Sequence, residues 1–389
     1  MEIPDHARHD IQLTTTPEVV DLAWGQPDPA LLPAALVAEA AARVLGTDGA
    51  IALSYGASAG PRRLIDALAE RWSGDEGRRP EPDAVVVTAG ASQALDLVAG
   101  VARERGDVVL VESPTYDLAL GVLRDRGLRP VALPGDDAGV IPEAVPDLVR
   151  GLRRDGRHPA LAYLVPTFGN PRGTSLPLAR RRALVEVAAA LGLLVVEDDV
   201  YRELPGDGTA PPSLWSLDDG GHVVRIGSVS KCLGPGLRVG WLAAPPELAR
   251  RIRDGGLLTS GGGITHMAAM IVADLYASGA LDAHLTGLRR ELGARSAALV
   301  DGLRATLPAA AAVERPDGGY FAWLRLPPHM DGDALLAAAV QRGVGFRPGR
   351  LFHLQGGAAT ARLCFALYPP DALAAAGHRL GDAVAALAS

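Results

Sequence analysis

Val223-Val224-Arg225-Ile226-Gly227-Ser228-Val229-Ser230-Lys231-Cys232-Leu233-Gly234-Pro235-Gly236-Leu237-Arg238-Val239-Gly240-Trp241-Leu242-Ala243 reads as two short strands, Val223–Gly227 and Val239–Ala243, joined by a polar loop. The loop is too short for a crossover helix, so the two strands are expected to run antiparallel. Lys231 stands in that loop. The chain holds 38 lysines and arginines together, and Lys231 is the one lysine among them. Arginine serves any surface charge, but only a lysine amine can lose its proton and form a Schiff base. A sequence that uses arginine elsewhere and lysine here marks Lys231 as chemical.

Five similar runs precede the pair: Ala84–Thr88, Val108–Glu112, Arg129–Leu133, Leu161–Val165 and Leu193–Glu197. Most are continuously apolar, as strands covered on both faces must be. Helical patterns separate the early ones, at Ser92–Arg105, Tyr116–Arg126, Pro142–Arg154 and Pro177–Leu191. This alternation predicts an α/β layered domain around a mostly parallel seven-stranded sheet. Upstream, helices are expected from Pro33 to Leu45 and from Pro61 to Trp72. The prolines before residue 35 predict an irregular arm. After about residue 245 the pattern turns helical, with Ala280–Leu307 the longest stretch. It then mixes strands (Gly319–Leu326, Arg362–Ala366) with helices (Gly332–Arg342, Asp371–Leu387), which predicts a smaller α+β domain. The expected organisation is an arm over 1–35, a large domain over 36–275 and a small one over 276–389.

Composition narrows the function. The formal net charge of −7 offers no footprint for nucleic acid. No apolar run approaches the roughly 20 residues that span a bilayer. Two cysteines, Cys232 and Cys364, are too few for a disulfide framework and point to a reducing compartment. The start, Met1-Glu2-Ile3-Pro4-Asp5-His6, lacks the basic-then-apolar pattern of a secretion signal. A cytoplasmic protein is expected. No His/Cys cluster has metal-ligand spacing, and neither a Gly-x-Ser-x-Gly elbow nor a Walker-type loop occurs.

In open α/β sheets, sites gather beyond the carboxyl ends of the strands. The first run ends in Gly90-Ala91-Ser92, either a tight strand-to-helix turn or free backbone N–H groups at a helix start, where a phosphate sits well. The second leads to Tyr116, which either packs in the turn or covers an aromatic ligand. The fourth leads to Asn170-Pro171, by itself only a turn signal. The fifth ends in Glu197-Asp198-Asp199, three acids that repel one another and need cations or protons. The sixth leads to Ser228, Ser230 and Lys231, with Arg238 beyond. An amine, a phosphate cradle, an aromatic face, a carboxylate and hydroxyls are together what pyridoxal 5′-phosphate (PLP) requires.

Asn170-Pro171, Glu197-Asp198-Asp199-Val200-Tyr201 and Ser228–Trp241, in this order and spacing, resemble the class I/II aminotransferases of PLP fold type I. Within that family the likeness is to the 2-aminoadipate aminotransferases and the aminotransferase-like domains of bacterial regulators, and it runs from about Trp24 to Leu367. The resemblance implies an amino group moved between an amino acid and a 2-oxo acid in a ping-pong cycle. Lys231 would form the internal aldimine and shuttle the substrate proton. Asp198, three residues before the tyrosine, would partner the ring nitrogen. Tyr201 and Asn170 would bond the phenolic oxygen, and Tyr116 would stack on the ring. Gly90, Ala91, Ser92, Ser228, Ser230 and Arg238 would hold the phosphate. Tyr55 would reach a neighbouring subunit's phosphate, which makes the active unit a homodimer. Arg362 would take the substrate α-carboxylate as a bidentate fork, with Gly25 and Asn170 beside the substrate. Gly169 and Arg172 depart from the Gln and Thr that the family often places around Asn-Pro, and His266 stands where a glutamine is common. Other outcomes of the same cofactor, namely decarboxylation, elimination, cyclisation or oxidation, are the alternative. A non-catalytic regulator domain ranks last, since about 35 residues precede the first family-like helix, fewer than a winged helix-turn-helix needs.

Overall fold

All seven strands of the large sheet form in the computed structural model, which describes residues 18–206 and 208–388. In chain order they are β1 (Val85–Thr88), β2 (Val108–Val111), β3 (Arg129–Ala132), β4 (Pro159–Leu164), β5 (Val195–Asp198), β6 (Val223–Ser228) and β7 (Gly240–Ala243). Their spatial order is β1-β7-β6-β5-β4-β2-β3. β7 alone is antiparallel to both neighbours, as the short Lys231 loop requires, and the other six share one direction. Six carboxyl ends therefore lie along one edge. The start of β7 returns to that edge, with Gly240 opposite both Thr88 and Ser228. β1, β2, β6 and β7 are buried throughout, covered on both faces by helices. β3, at the edge, holds Pro130 within the strand and stays partly exposed.

Helices α1 (Ala34–Ala52) and α2 (Arg62–Glu76) run past the predicted ends at Leu45 and Trp72. α1 continues through Gly46 and Gly49 by a non-helical kink at Asp48. α2 is extended by Glu76, which is buried and ion-paired to Arg225 at 2.6 Å and Arg202 at 3.1 Å. Tertiary pairing outweighs the local stop signals there. The predicted helices after β1, β2 and β4 become α3 (Ala91–Ala102), α4 (Asp117–Asp125) and α6 (Leu178–Leu191), with α5 (Val145–Arg154) between β3 and β4.

The C-terminal part builds a four-stranded antiparallel sheet from β8 (Ala312–Val313), β9 (Phe321–Arg325), β10 (Arg347–Pro348) and β11 (Thr360–Cys364), in the order β8-β9-β11-β10. The long helices Ala280–Arg304 and Pro370–Ala388 pack against each other beside it. The arm is not wholly irregular: Val20–Asp21 pairs in parallel with Val344–Gly345. Met1–Pro17, including Pro4, lie outside the described residues.

Candidate active site

The chain order sends β2 towards β3 on one side of the sheet and β4 towards β5 on the other. A crevice opens at such a switch. Here it is a cavity of about 350 Å³, walled by the strand ends, by Ala23–Gln26 of the arm and by Phe321, Arg347 and Arg362 of the second sheet.

Lys231 closes a single 3₁₀ turn, Val229–Lys231, beyond β6. Ser228 caps that turn: its Oγ accepts from Ser230 N at 3.1 Å and donates to Val239 O at 2.9 Å. This ties the two strands of the loop together. Lys231 Nζ donates to Gly25 O at 2.9 Å. Burial is the main cause that lowers its pKa to about 8; the Arg362 charge adds to this, while Cys364 and Asp198 oppose it. An amine so placed is neutral in about one molecule in ten at pH 7, far more often than an ordinary lysine. Gly25 lies against Phe321, whose Cζ would be 2.8 Å from an added Cβ.

The three acids separate by strand alternation. Glu197 and Asp199 turn away from the cavity. Glu197 accepts from Leu214 N at 2.9 Å and Trp215 N at 3.0 Å, and Asp199 pairs with Arg225 at 2.9 Å. Asp198 faces the cavity between them. Its Oδ2 accepts from the Tyr163 hydroxyl at 2.7 Å, and its Oδ1 is buried without a partner. Burial pushes the Asp198 carboxyl up to about 6; the Tyr163 hydrogen bond opposes this, and the Asp199 charge adds to it. Burial also lifts Glu112, at the end of β2, to about 7, although Val165 N donates to it at 2.8 Å.

Arg362, on β11, is buried. It donates to Asn170 Oδ1 at 2.9 Å and Ala23 O at 2.5 Å, and its Nε has no partner. Its guanidinium lies over the rings of Phe321 and Phe352, at 4.3 and 4.7 Å. Tyr201 packs edge-on to Phe321 and tilted against Tyr320. The Tyr116 hydroxyl titrates near 12, raised by burial and then by Asp198.

At the opposite end Gly90 precedes α3 with φ +90°, a conformation open to glycine. An added Cβ would lie 2.8 Å from Arg238 Nη2. Arg238 donates to Ala89 O at 2.5 Å. Ala91, Ser92, Ser228, Ser230 and Arg238 all border the cavity, so hydroxyls, a guanidinium and the N-terminus of α3 converge on one spot.

Of the residues singled out in the sequence, Tyr55 alone stands apart: it is 87% exposed and does not reach this cavity. Gly90 sits just behind Arg238, and the others line the wall. The sequence reading missed Tyr163, Asp117, Phe321 and Arg347. Tyr163 had a signal, because strand alternation puts it on the face that Asp198 shares. Gly169, in place of the family's glutamine, has no room for a side chain, since its Cβ would lie 2.6 Å from Val165 O. His266 opens the helix His266–Ala277, with Nε2 3.1 Å from Ile51 O.

A family model, aminotransferase class I and II, matches residues 17–380. The chain belongs to that family. A 2-aminoadipate transaminase of Thermus thermophilus is 34% identical over 98% of this chain and 94% of that protein. Aromatic-amino-acid aminotransferase 1 of Thermococcus litoralis is 32% identical over 97% of this chain and 90% of that protein. The solved structure of the α-aminoadipate aminotransferase LysN of T. thermophilus, complexed with N-(5′-phosphopyridoxyl)-L-leucine, superposes with a TM-score of 0.84 at 34% identity, covering 96% of this chain and 93% of that one. The aminotransferase's cofactor is PLP, and the cavity fits it. A buried carboxylate oxygen without a partner answers a protonated ring nitrogen, and Gly90 leaves open the space beside Arg238.

Gly90→Ala tests that cradle. Gly90 lies at φ +90° and ψ 172°, a region nearly confined to glycine that costs an L-residue roughly 1–3 kcal/mol, and the new methyl group pushes on Arg238. PLP affinity is expected to fall about tenfold or more, read by absorbance titration of the cofactor-free protein.

Proposed function

We propose that this aminotransferase exchanges amino groups between an amino acid and a 2-oxo acid as a cytoplasmic homodimer, with Lys231, Asp198 and Arg362 at its centre. The observation that carries the reading is one cavity holding a buried amine of lowered pKa and an unpartnered buried carboxylate oxygen. PLP bound there supplies a carbonyl that takes up an amine and a ring that accepts the electrons left when the substrate Cα loses a proton. Lys231 would hold the cofactor, and its free amine would carry a proton to and from the substrate Cα. Asp198, with Oδ1 unpartnered and Tyr163 fixing the other oxygen, would hold the ring nitrogen's proton. Tyr201 and Asn170 would hold the phenolic oxygen, and Tyr116 would cover the ring. Gly90, Ala91, Ser92, Ser228, Ser230 and Arg238 bind the phosphate. Arg362 takes the α-carboxylate beside Gly25, and its two aromatic neighbours strengthen the charge by excluding water.

The dimer is supported by an apolar surface on and after α1. Ile51, Leu53 and Tyr55 are 59%, 72% and 87% exposed, a run that a second copy would cover. Tyr55 then serves the other copy's phosphate. The proposed division is an arm over 1–35, a PLP-binding domain over 36–275 and a small domain over 276–389. The Val20–Asp21 pairing with Val344–Gly345 supports the arm's place on the last of these.

The test is a single half-reaction. Incubated with one amino acid and no oxo acid, the loaded protein is expected to yield stoichiometric pyridoxamine phosphate and one 2-oxo acid. Release of carbon dioxide, ammonia or peroxide instead moves the reading to decarboxylation, elimination or oxidation. Sedimentation is expected to give a dimer, and Leu53→Asp a monomer.

A further inference from the structure

Arg347 is a third guanidinium in the cavity wall, with Arg238 and Arg362, and the reaction as proposed gives it no task. It stands on β10 directly across the ladder from Arg362 on β11. Cross-strand partners lie about 5 Å apart, and like charges there repel. Two features make the pair tolerable. The ring of Phe352 lies near both guanidiniums, at 5.8 Å from Arg347 and 4.7 Å from Arg362. Asp117 accepts a hydrogen bond from Arg347 Nη2.

A donor count shows what is left over. Asp117 is the first residue of α4, so the helix N-terminus also answers its charge. Arg347 offers five N–H groups and gives one to Asp117. Its Nε is buried and has no partner. The side chain keeps 29% of its surface, against 11% for Asp117. The unmet demand of this wall is therefore for an acceptor. The same cavity is also lined by Trp24, Leu118 and Val122, apolar groups suited to methylenes.

We infer that Arg347 is a specificity-determining residue that receives the side-chain carboxylate of a dicarboxylic substrate, held between two arginines one strand apart. The inference rests on Arg362 taking the α-carboxylate, as proposed above. An amino acid with two or three methylenes before its second carboxylate, and the matching oxo acid, has the right form. The two relatives are named for an acidic and for aromatic substrates, so their names do not choose between the classes. Arg347 does.

The probes are glutarate and pentanoate, five-carbon acids with two carboxylates and one, titrated into the PLP-loaded protein and read by cofactor absorbance. A charge-assisted contact is worth roughly ten- to hundredfold in affinity. Glutarate is expected to bind at least tenfold tighter than pentanoate, and Arg347→Ala to bring the two together. Arg347→Lys, which retains one charge, is expected to keep part of the difference. In half-reactions the kcat/KM ratio of L-glutamate over L-norvaline falls at least tenfold in Arg347→Ala. Equal binding of the two acids by the unaltered protein overturns the inference, and so does a ratio unmoved by either variant. Both results leave transamination of neutral amino acids intact. Failure to transaminate any amino acid overturns the broader reading with it.

Discussion

Lys231→Ala is expected to abolish covalent attachment of PLP and to lower transamination at least about 10⁴-fold, the combined loss of a nucleophile and of a proton carrier. The experiment is unusually clean in this chain because no other lysine exists. Borohydride treatment of the unaltered protein fixes the cofactor to the polypeptide, detectable by mass, and the fixed label maps to one peptide. Label fixed in the variant anywhere but the α-amino group overturns the assignment, since no second ε-amine could carry it. The unaltered protein adds a pH test. Attack requires the neutral amine, and burial has lowered the Lys231 pKa to about 8. Attachment to the cofactor-free protein is therefore expected to accelerate as pH rises and to level off above about 8. A rise that continues towards the ordinary lysine range would show that the amine is not desolvated. The Ala variant is expected to fold, because among the described residues the Nζ it loses bonds only to Gly25 O and the turn is held by Ser228.

The parts of this site legible in the sequence are those fixed by local pattern. The family's spacing to Tyr201 picked Asp198 out of three acids, and strand alternation gives the physical reason, since it turns Glu197 and Asp199 away from the cavity. Buried strands leave apolar runs, so seven strands were countable, and the short Lys231 loop showed which pair reverses. Order within the sheet was not legible, because it depends on which faces the helices cover. The ends of α1 and α2 were misread for a related reason. Their last turns are held by tertiary partners such as Arg202 and Arg225 on Glu76, which outweigh glycine and polar stop signals. The two-residue strand at Val20–Asp21 is held by ladder bonds to Val344–Gly345 rather than by any periodicity of its own. Arg347 and Asp117 are the limiting case. Each looks like a solvated charge in its own segment, and they meet only because β10 folds over the end of α4. Pairs of this kind set specificity, which is why the reaction could be read from the chain more readily than the substrate.

Asp198→Asn should separate the electrostatic role of this carboxylate from its packing. The asparagine keeps the shape, and its carbonyl oxygen can still accept from Tyr163, so the buried hydroxyl is not left unpaired. What it removes is the negative charge facing the ring nitrogen. A fixed charge that answers one developing in the reaction is worth about 10²–10³ or more in rate, so kcat is expected to drop at least about 10³-fold with the cofactor still attached to Lys231. Stability should move the other way. Burial raises the Asp198 carboxyl from 3.8 to about 6, so the unfolded chain gives up this proton more readily than the folded one. Its contribution to stability is present below pH 3.8 and is lost as pH rises through 6. Above that range the cofactor-free protein carries the cost of a desolvated anion, up to about 3 kcal/mol from a shift of this size. Without cofactor at pH 7.5 the variant is therefore expected to melt at or above the temperature of the unaltered protein, and its melting should depend less on pH between 4 and 6. With PLP the order should reverse, because only the aspartate gains from the ring N–H. A variant that retains kcat within tenfold, or that melts lower without cofactor, would show that Asp198 serves the fold rather than the ring. The crossing of the two melting curves is the signature that a purely structural carboxylate cannot produce.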